Sequence, residues 1–215
     1  MIWLTEELYF PDPLQTEPHG IVAAGGDLKP ERLLMAYHNG IFPWYDDDQP
    51  ILWWSPDPRM VLFPKDLYIS KSMRKLISKN VFKVTFNQSF RSVIQGCAAA
   101  KRIGQRGTWI TDEMIEAYIE LHELGHAMSV EVWQDSSLVG GLYGVDLGTV
   151  FCGESMFSNV SNASKVGFIS LVEKLIHDDY KLIDCQIYTE HLASLGACEI
   201  PREVFLSYLP INTSL

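Results

Sequence analysis

Nothing at the amino end resembles a secretory leader: Met1-Ile2-Trp3-Leu4 runs straight into Glu6 and Glu7, with no basic start and no long apolar core. No apolar run approaches the roughly 18–20 residues that a membrane helix needs. The four cysteines (Cys97, Cys152, Cys185 and Cys198) are far apart and form no C-x-x-C pair, so reduced core thiols and a cytoplasmic location are expected. The N-x-[ST] triplets at Asn159, Asn162 and Asn212 then carry no glycan. A phosphate-cradling G-x-x-x-x-G-K-[ST] loop is missing too, and Gly140-Gly141 falls in a strand pattern instead of at a helix start. ATP is therefore not expected. An acyl transfer run without ATP needs a donor that arrives activated, such as a thioester or an aminoacyl ester.

What is present is an ordinary globular composition: 215 residues, 47% hydrophobic and 12% aromatic. The net charge of −10 argues against nucleic acid, but its distribution argues for it. Eleven of the 17 lysines and arginines lie between Arg59 and Arg106 with one acid, Asp66, so that stretch carries +10 and the remainder −20. Screening over about 8–10 Å lets a local basic patch act almost independently of distant acids. A phosphate-binding surface is one reading, and a solvated helix face is the plainer one.

Residues 1–60 are rich in Pro, Gly, Trp and acids with little periodicity, and read as a small loop-rich domain with one helix near Pro30–Tyr37. Residues 61–215 are regular. Strands are predicted at Met60–Phe63 and Phe82–Phe86, and helices over Lys71–Lys79, Ser89–Ala100 and from Thr111, an N-cap followed by Asp112 and Glu113. Three strands near Ser129–Gln134, Leu138–Val145 and Thr149–Glu154 follow, separated by tight turns. A helix near Asn162–His177, a strand at Leu182–Gln186, a short helix near His191–Leu195 and a last strand before Pro201 complete the order. That order predicts an α/β (α+β) fold, a mixed sheet covered by helices.

His122-Glu123-Leu124-Gly125-His126 matches the H-E-x-x-H of zinc peptidases. Gly125 ends the helix before the second histidine, and no third ligand follows, so structural histidines are expected and no metal. The stronger constellation is Phe151-Cys152-Gly153-Glu154-Ser155-Met156-Phe157 with Leu182-Ile183-Asp184-Cys185-Gln186. Alternation along the second run puts Ile183 and Cys185 on one face and Leu182, Asp184 and Gln186 on the other. An acid and an amide on one face of an interior strand are costly unless hydrogen-bonded or used. A purely structural polar cluster is the competing reading.

Several long strings occur together: Gly25-Gly26-Asp27-Leu28, Gly40-Ile41-Phe42-Pro43-Trp44, Leu52-Trp53-Trp54-Ser55-Pro56-Asp57-Pro58-Arg59, Gly107-Thr108-Trp109-Ile110-Thr111, Cys152-Gly153-Glu154-Ser155-Met156-Phe157 and Leu182-Ile183-Asp184-Cys185-Gln186. Together they resemble the bacterial leucyl/phenylalanyl-tRNA–protein transferases, from about Phe10 to Pro201-Arg202. The resemblance implies an acetyltransferase-like (GNAT) catalytic domain after the small first one, although no acyl-CoA pyrophosphate loop is visible in residues 158–167. It implies transfer of Leu, Phe or less readily Met from tRNA to proteins beginning with Arg or Lys, marking them for degradation.

By the same resemblance, Asp184 would hold or deprotonate the attacking amine, Gln186 would relay or orient, and Glu154 would position the reactants. Whether Asp184 is a base or an electrostatic anchor stays open. Leu142, Gly153, Met156, Leu171, Leu175 and Ile183 would line the donor site, with ordinary core packing as their alternative. Trp44 and Trp109 would stack on the terminal adenosine or wall the cleft. Lys71, Arg74, Lys75, Lys79 and Lys83 would hold the acceptor stem of the aminoacyl-tRNA through its phosphates. No cofactor is expected. A zinc peptidase, a non-catalytic RNA-binding module and an acyl-CoA acetyltransferase are the competing functions.

Overall fold

The long runs of β-branched and apolar residues between 127 and 158 set the frame. In the computed structural model, which describes residues 1–16, 19–100 and 109–210, they form three consecutive antiparallel strands at the centre of a seven-stranded sheet. Ahead of it, β1 (Ile2–Leu4), β2 (Ile21–Gly25), α1 (Pro30–His38), β3 (Phe42–Pro43) and β4 (Leu52–Trp54) make a smaller unit. Its four strands pair in the order β1-β2-β4-β3, so a segment expected to be mostly loop holds a sheet. The strands have two to five residues, too short for any two-residue alternation to be read from the sequence.

The large sheet starts at β5 (Arg59–Leu62), two residues before the boundary drawn from composition. There follow α2 (Lys71–Ile77), β6 (Lys83–Phe86), α3 (Phe90–Ala99), α4 (Asp112–Glu123), β7 (Ala127–Gln134), β8 (Ser137–Asp146) and β9 (Val150–Ser158). Then come α5 (Ala163–His177), β10 (Leu182–Gln186), α6 (Glu190–Ala193), β11 (Cys198–Ile200) and α7 (Arg202–Leu206), the last without a sequence forecast. Caps fall where the residue types demand: Ser70 Oγ accepts from the Met73 amide, and Thr111 Oγ1 from that of Met114. Among the described residues no helix is long and apolar enough to cross a membrane. Lys101, Arg102, Arg106, Gly107 and Thr108, which belong to strings named above, lie outside the described residues.

Strand order in the large sheet is β11-β5-β10-β9-β8-β7-β6. Every pairing is antiparallel except β9 with β10, which run parallel through Val150–Leu182, Phe151–Ile183 and Cys152–Asp184 and then part. Helices α3 and α4 cover the face carrying Tyr143 and Val145, in one apolar core with Leu33, Tyr37, Phe42 and Trp53 of the first unit. Helix α5 covers the other face, packing Phe168, Leu171 and Leu175 on Leu142, Phe151 and Ile183. The sheet is thus sealed on both sides, and the parting of β9 from β10 is the opening between them.

Close approach of β8 and β9 depends on Gly144. A Cβ there would lie 2.2 Å from the Cys152 carbonyl oxygen and 2.6 Å from the Phe151 ring, and a backbone atom cannot swing away. Gly144→Ala is expected to cost about 3 kcal/mol by overpacking. Urea unfolding of the two proteins checks this.

Candidate active site

Two strand irregularities face each other where β9 and β10 separate. In the β8–β9 ladder the register slips between Tyr143 and Gly144, which leaves Glu154 as the extra residue of β9. In the β10–β5 ladder it slips between Asp184 and Gln186, leaving Cys185 as the extra residue of β10. Gln186 itself has a φ of 63°. A bulge bends its strand and re-aims the side chain that it carries. Simple alternation therefore fails here: Ile183, Asp184, Cys185 and Gln186 all border the same cavity.

Asp184 is fully buried and bound by two hydrogen bonds to Arg59, Nε to Oδ1 at 2.8 Å and Nη2 to Oδ2 at 2.7 Å. The Gln186 amide nitrogen also donates to Oδ1, at 2.9 Å. Arg59 is 1% exposed, and its guanidinium lies between the rings of Phe42 and Phe205, at 4.8 and 4.6 Å. Counting Arg59 with a phosphate-binding surface is thus corrected: its charge is spent inside the protein. Sequence reasoning missed this pairing because 125 residues separate the two partners.

Glu154 meets a different environment. Gln186 Nε2 donates to its Oε1 at 2.7 Å and the Tyr118 hydroxyl to its Oε2 at 3.2 Å, while Tyr118 shares a short hydrogen bond with Tyr37. Burial pushes the carboxyl up; hydrogen bonding from the Tyr37–Tyr118 pair pulls it back, the Asp184 charge pushes again, and the result is about 7. Burial, and then the charge of Glu154, also hold both tyrosine hydroxyls well above their ordinary range. The two carboxylates of one fork are thereby set apart, one answered by a cation and the other by neutral donors.

The fork opens into a cavity of about 460 Å³. Its inner wall is apolar: Leu142, Phe151, Met156, Phe168, Leu171, Ile183 and Leu192. Gly153, Glu154, Asp184 and Gln186 lie along the fork, and Trp44 and Trp109 stand on the wall with Phe42 and Pro43. Trp44 is held by its neighbour: Trp54 Nε1 donates to the Trp44 carbonyl at 2.6 Å, and the two rings are 5.6 Å apart. Of the proposed donor-site residues, Leu175 alone is away from the wall. It lies one turn beyond Leu171 in the core under α5. Thr189 and His191 of the wall carried no sequence signal.

The basic candidates form a separate group. Lys71, Arg74 and Lys75 on α2, Lys79 just after it, and Lys83 at the start of β6 are all exposed. Helix α2 is fixed to α5 by Met73 against Val166 and Ile169. Burial, and after it the charge of Lys165 in the first turn of α5, lowers the imidazole pKa of His191. Positive charge thus runs from α2 toward the cavity, and Lys165 joins the candidates. In the H-E-x-x-H segment His122 stacks on Phe90 at 4.3 Å, and its Nδ1 lies 2.8 Å from the Ala127 carbonyl, with His126 past the end of α4.

The family model described as "Leucyl/phenylalanyl-tRNA protein transferase" matches residues 61–210, and that of its N-terminal domain matches residues 26–57. The chain is similar to a leucyl/phenylalanyl-tRNA–protein transferase of Flavobacterium psychrophilum, 61% identical over 97% of this chain and 99% of that one. One from Shigella dysenteriae is 56% identical over 93% of this chain and 85% of that one. Among solved structures, a ribosomal-protein-alanine N-acetyltransferase of Brucella melitensis is 14% identical, covers 47% of this chain and 76% of its own, and has a TM-score of 0.34.

The raised Glu154 carboxyl has a consequence for stability. The folded state holds this proton more tightly than the unfolded chain, so its contribution is complete below pH 4.5 and is lost as the pH rises to about 7. The loss amounts to about 3 kcal/mol across that window. Urea unfolding at several pH values is expected to show wild type losing this much relative to Glu154→Gln between pH 4.5 and 7.5.

Proposed function

The chain belongs to the leucyl/phenylalanyl-tRNA–protein transferase family, and from that premise we propose that it moves leucine, phenylalanine or methionine from tRNA to proteins beginning with Arg or Lys, marking them for degradation in the cytoplasm. The observation that carries this reading is the fork cavity, apolar at its inner wall and polar along the parting strands. An unbranched or branched apolar side chain, or a phenyl ring, suits the inner wall. The ester carbonyl would then lie along the fork, and the terminal adenosine would rest against Trp44 and Trp109. Discrimination by such a wall is about 1–3 kcal/mol per methylene, so some latitude among the three donors follows.

The acceptor amine attacks the ester carbonyl carbon, the tetrahedral intermediate collapses, and the bond to the ribose 3′ oxygen breaks. The products are a lengthened protein and a tRNA with a free 3′ hydroxyl. An α-amine with a pKa of about 7.7–8.0 is partly neutral at cellular pH and needs only alignment and removal of one proton. In this reading Glu154 accepts that proton and returns it to the departing oxygen, because its carboxyl titrates near 7. Asp184, both oxygens committed to Arg59, acts as the anchor and sets the backbone of Gln186. The Gln186 side-chain nitrogen donates to Glu154, which leaves its amide oxygen to accept from the incoming amine.

Charge around the cavity supports the choice of partners. Lys71, Arg74, Lys75, Lys79, Lys83 and Lys165 suit an RNA backbone. Asp46, Asp47 and Asp48 follow Trp44, Asp112 and Glu113 follow Trp109, and all five are exposed. Asp47 and Glu113 both act on Tyr45, so the two acidic segments converge. They suit a basic first residue and repel phosphate.

Transfer of labelled leucine from Leu-tRNA to two peptides, identical but for a first Arg or Ala, tests the acceptor. Label is expected on the Arg peptide only, and equal labelling of both would sink that specificity. Glu154→Gln is expected to lower turnover at least about 100-fold with donor affinity little changed. For the RNA surface, Lys71→Glu with Lys75→Glu is expected to weaken tRNA binding at least tenfold and to flatten the slope of log affinity against log salt by about 2. A binding assay at several salt concentrations decides it.

A further inference from the structure

Tyr37 and Tyr118 are buried almost completely, at 1% and 0% exposure, in the core shared by the two units. A hydroxyl in such a place costs free energy unless it is well bonded, and phenylalanine would pack there without that cost. Their hydroxyls are nevertheless arranged in series. Tyr118 donates to Glu154 Oε2, so its oxygen is free to accept from Tyr37 across their short contact. A hydroxyl that receives a hydrogen bond becomes a stronger donor in its turn.

We propose that Tyr37 and Tyr118 are positioning residues for the transfer reaction, their paired hydroxyls fixing the Glu154 carboxylate and keeping it in its ionised, proton-accepting form. This rests on Glu154 being the proton acceptor. Of the remaining groups that face it, Gln186 also favours the ionised form, and the others do not. From β10, the charge of Asp184 opposes ionisation, and its partner Arg59 on β5 is held to Asp184 by two hydrogen bonds. From β9, the Cys152 thiol is kept protonated by burial and by Asp184. From β8, Tyr143 meets Tyr118 edge-on at 5.6 Å. Gln186 supplies one neutral hydrogen bond, to the other oxygen. The tyrosine pair is therefore what offsets burial at Oε2. Because Tyr37 belongs to α1, the first unit reaches the reacting carboxylate through Tyr118.

The test is Tyr37→Phe and Tyr118→Phe, each made separately, with the pH dependence of single-turnover transfer compared with that of the parent. The Glu154 carboxyl titration is followed in parallel by carbon-13 NMR, its signal identified by loss in Glu154→Gln. Removing a donor to the ionised form is expected to raise the titration by about one pH unit. The rate at pH 7 then falls about fivefold, and the deficit shrinks to less than twofold by pH 8.5. An equal rate loss at every pH with an unmoved titration would overturn the proposal, as it would mean lost packing only. A titration that moves with a rate profile that does not would uphold the hold on Glu154 and overturn its part as proton acceptor.

Discussion

One buried ion pair organises the molecule. Arg59 and Asp184 are both out of reach of water, and their charges are compensated almost wholly by each other. Removing one partner of such a pair leaves the other charged in a medium that cannot solvate it, at a cost of about 3–5 kcal/mol. The pair also joins parts that lie far apart in the chain. Arg59 opens β5, Asp184 ends the parallel part of β10, Phe42 comes from the small sheet, and Phe205 comes from the last helix. The ordering of the fork and the docking of the two units on each other thus share one interaction.

The same pair explains how two carboxylates on neighbouring strands acquire different characters. Asp184 has a cation beside it, and both its oxygens accept hydrogen bonds from that cation. Glu154, with only neutral hydrogen-bond donors, is balanced between its two protonation states. A cation beside Glu154 would make it a poor proton acceptor, and an apolar shell without donors would keep it neutral. Each residue is suited to its part by its neighbours, not by its own chemistry.

Much of this was legible in the sequence, and the limits follow from distance and local geometry. The strands of the large sheet show because their apolar residues recur over five to ten positions, and the helices of the second unit show through caps such as Thr111. Glu154, Asp184 and Gln186 stand out because polar residues in strand interiors demand a reason. The small sheet did not show, since three of its four strands have only two or three residues and so no pattern to recognise. Arg59 looked like one more member of a basic run, and nothing local distinguishes it from exposed Lys71. Tyr37 and Tyr118 look like ordinary aromatic core residues. Leu175 looks the same as Leu171, and only the direction of α5 decides which of them borders the cavity.

The two strand bulges carry a meaning for how such a chain can vary. Each adds one residue, Glu154 on β9 and Cys185 on β10, and the cavity begins where these extra residues turn the strands apart. Loss of either residue in descent would restore a straight ladder and let β9 and β10 zip onward past Asp184. Side-chain replacements along the wall can reshape the cavity gradually. Its existence, by contrast, depends on one extra residue in each of two ladders, so chain length matters there as much as residue type.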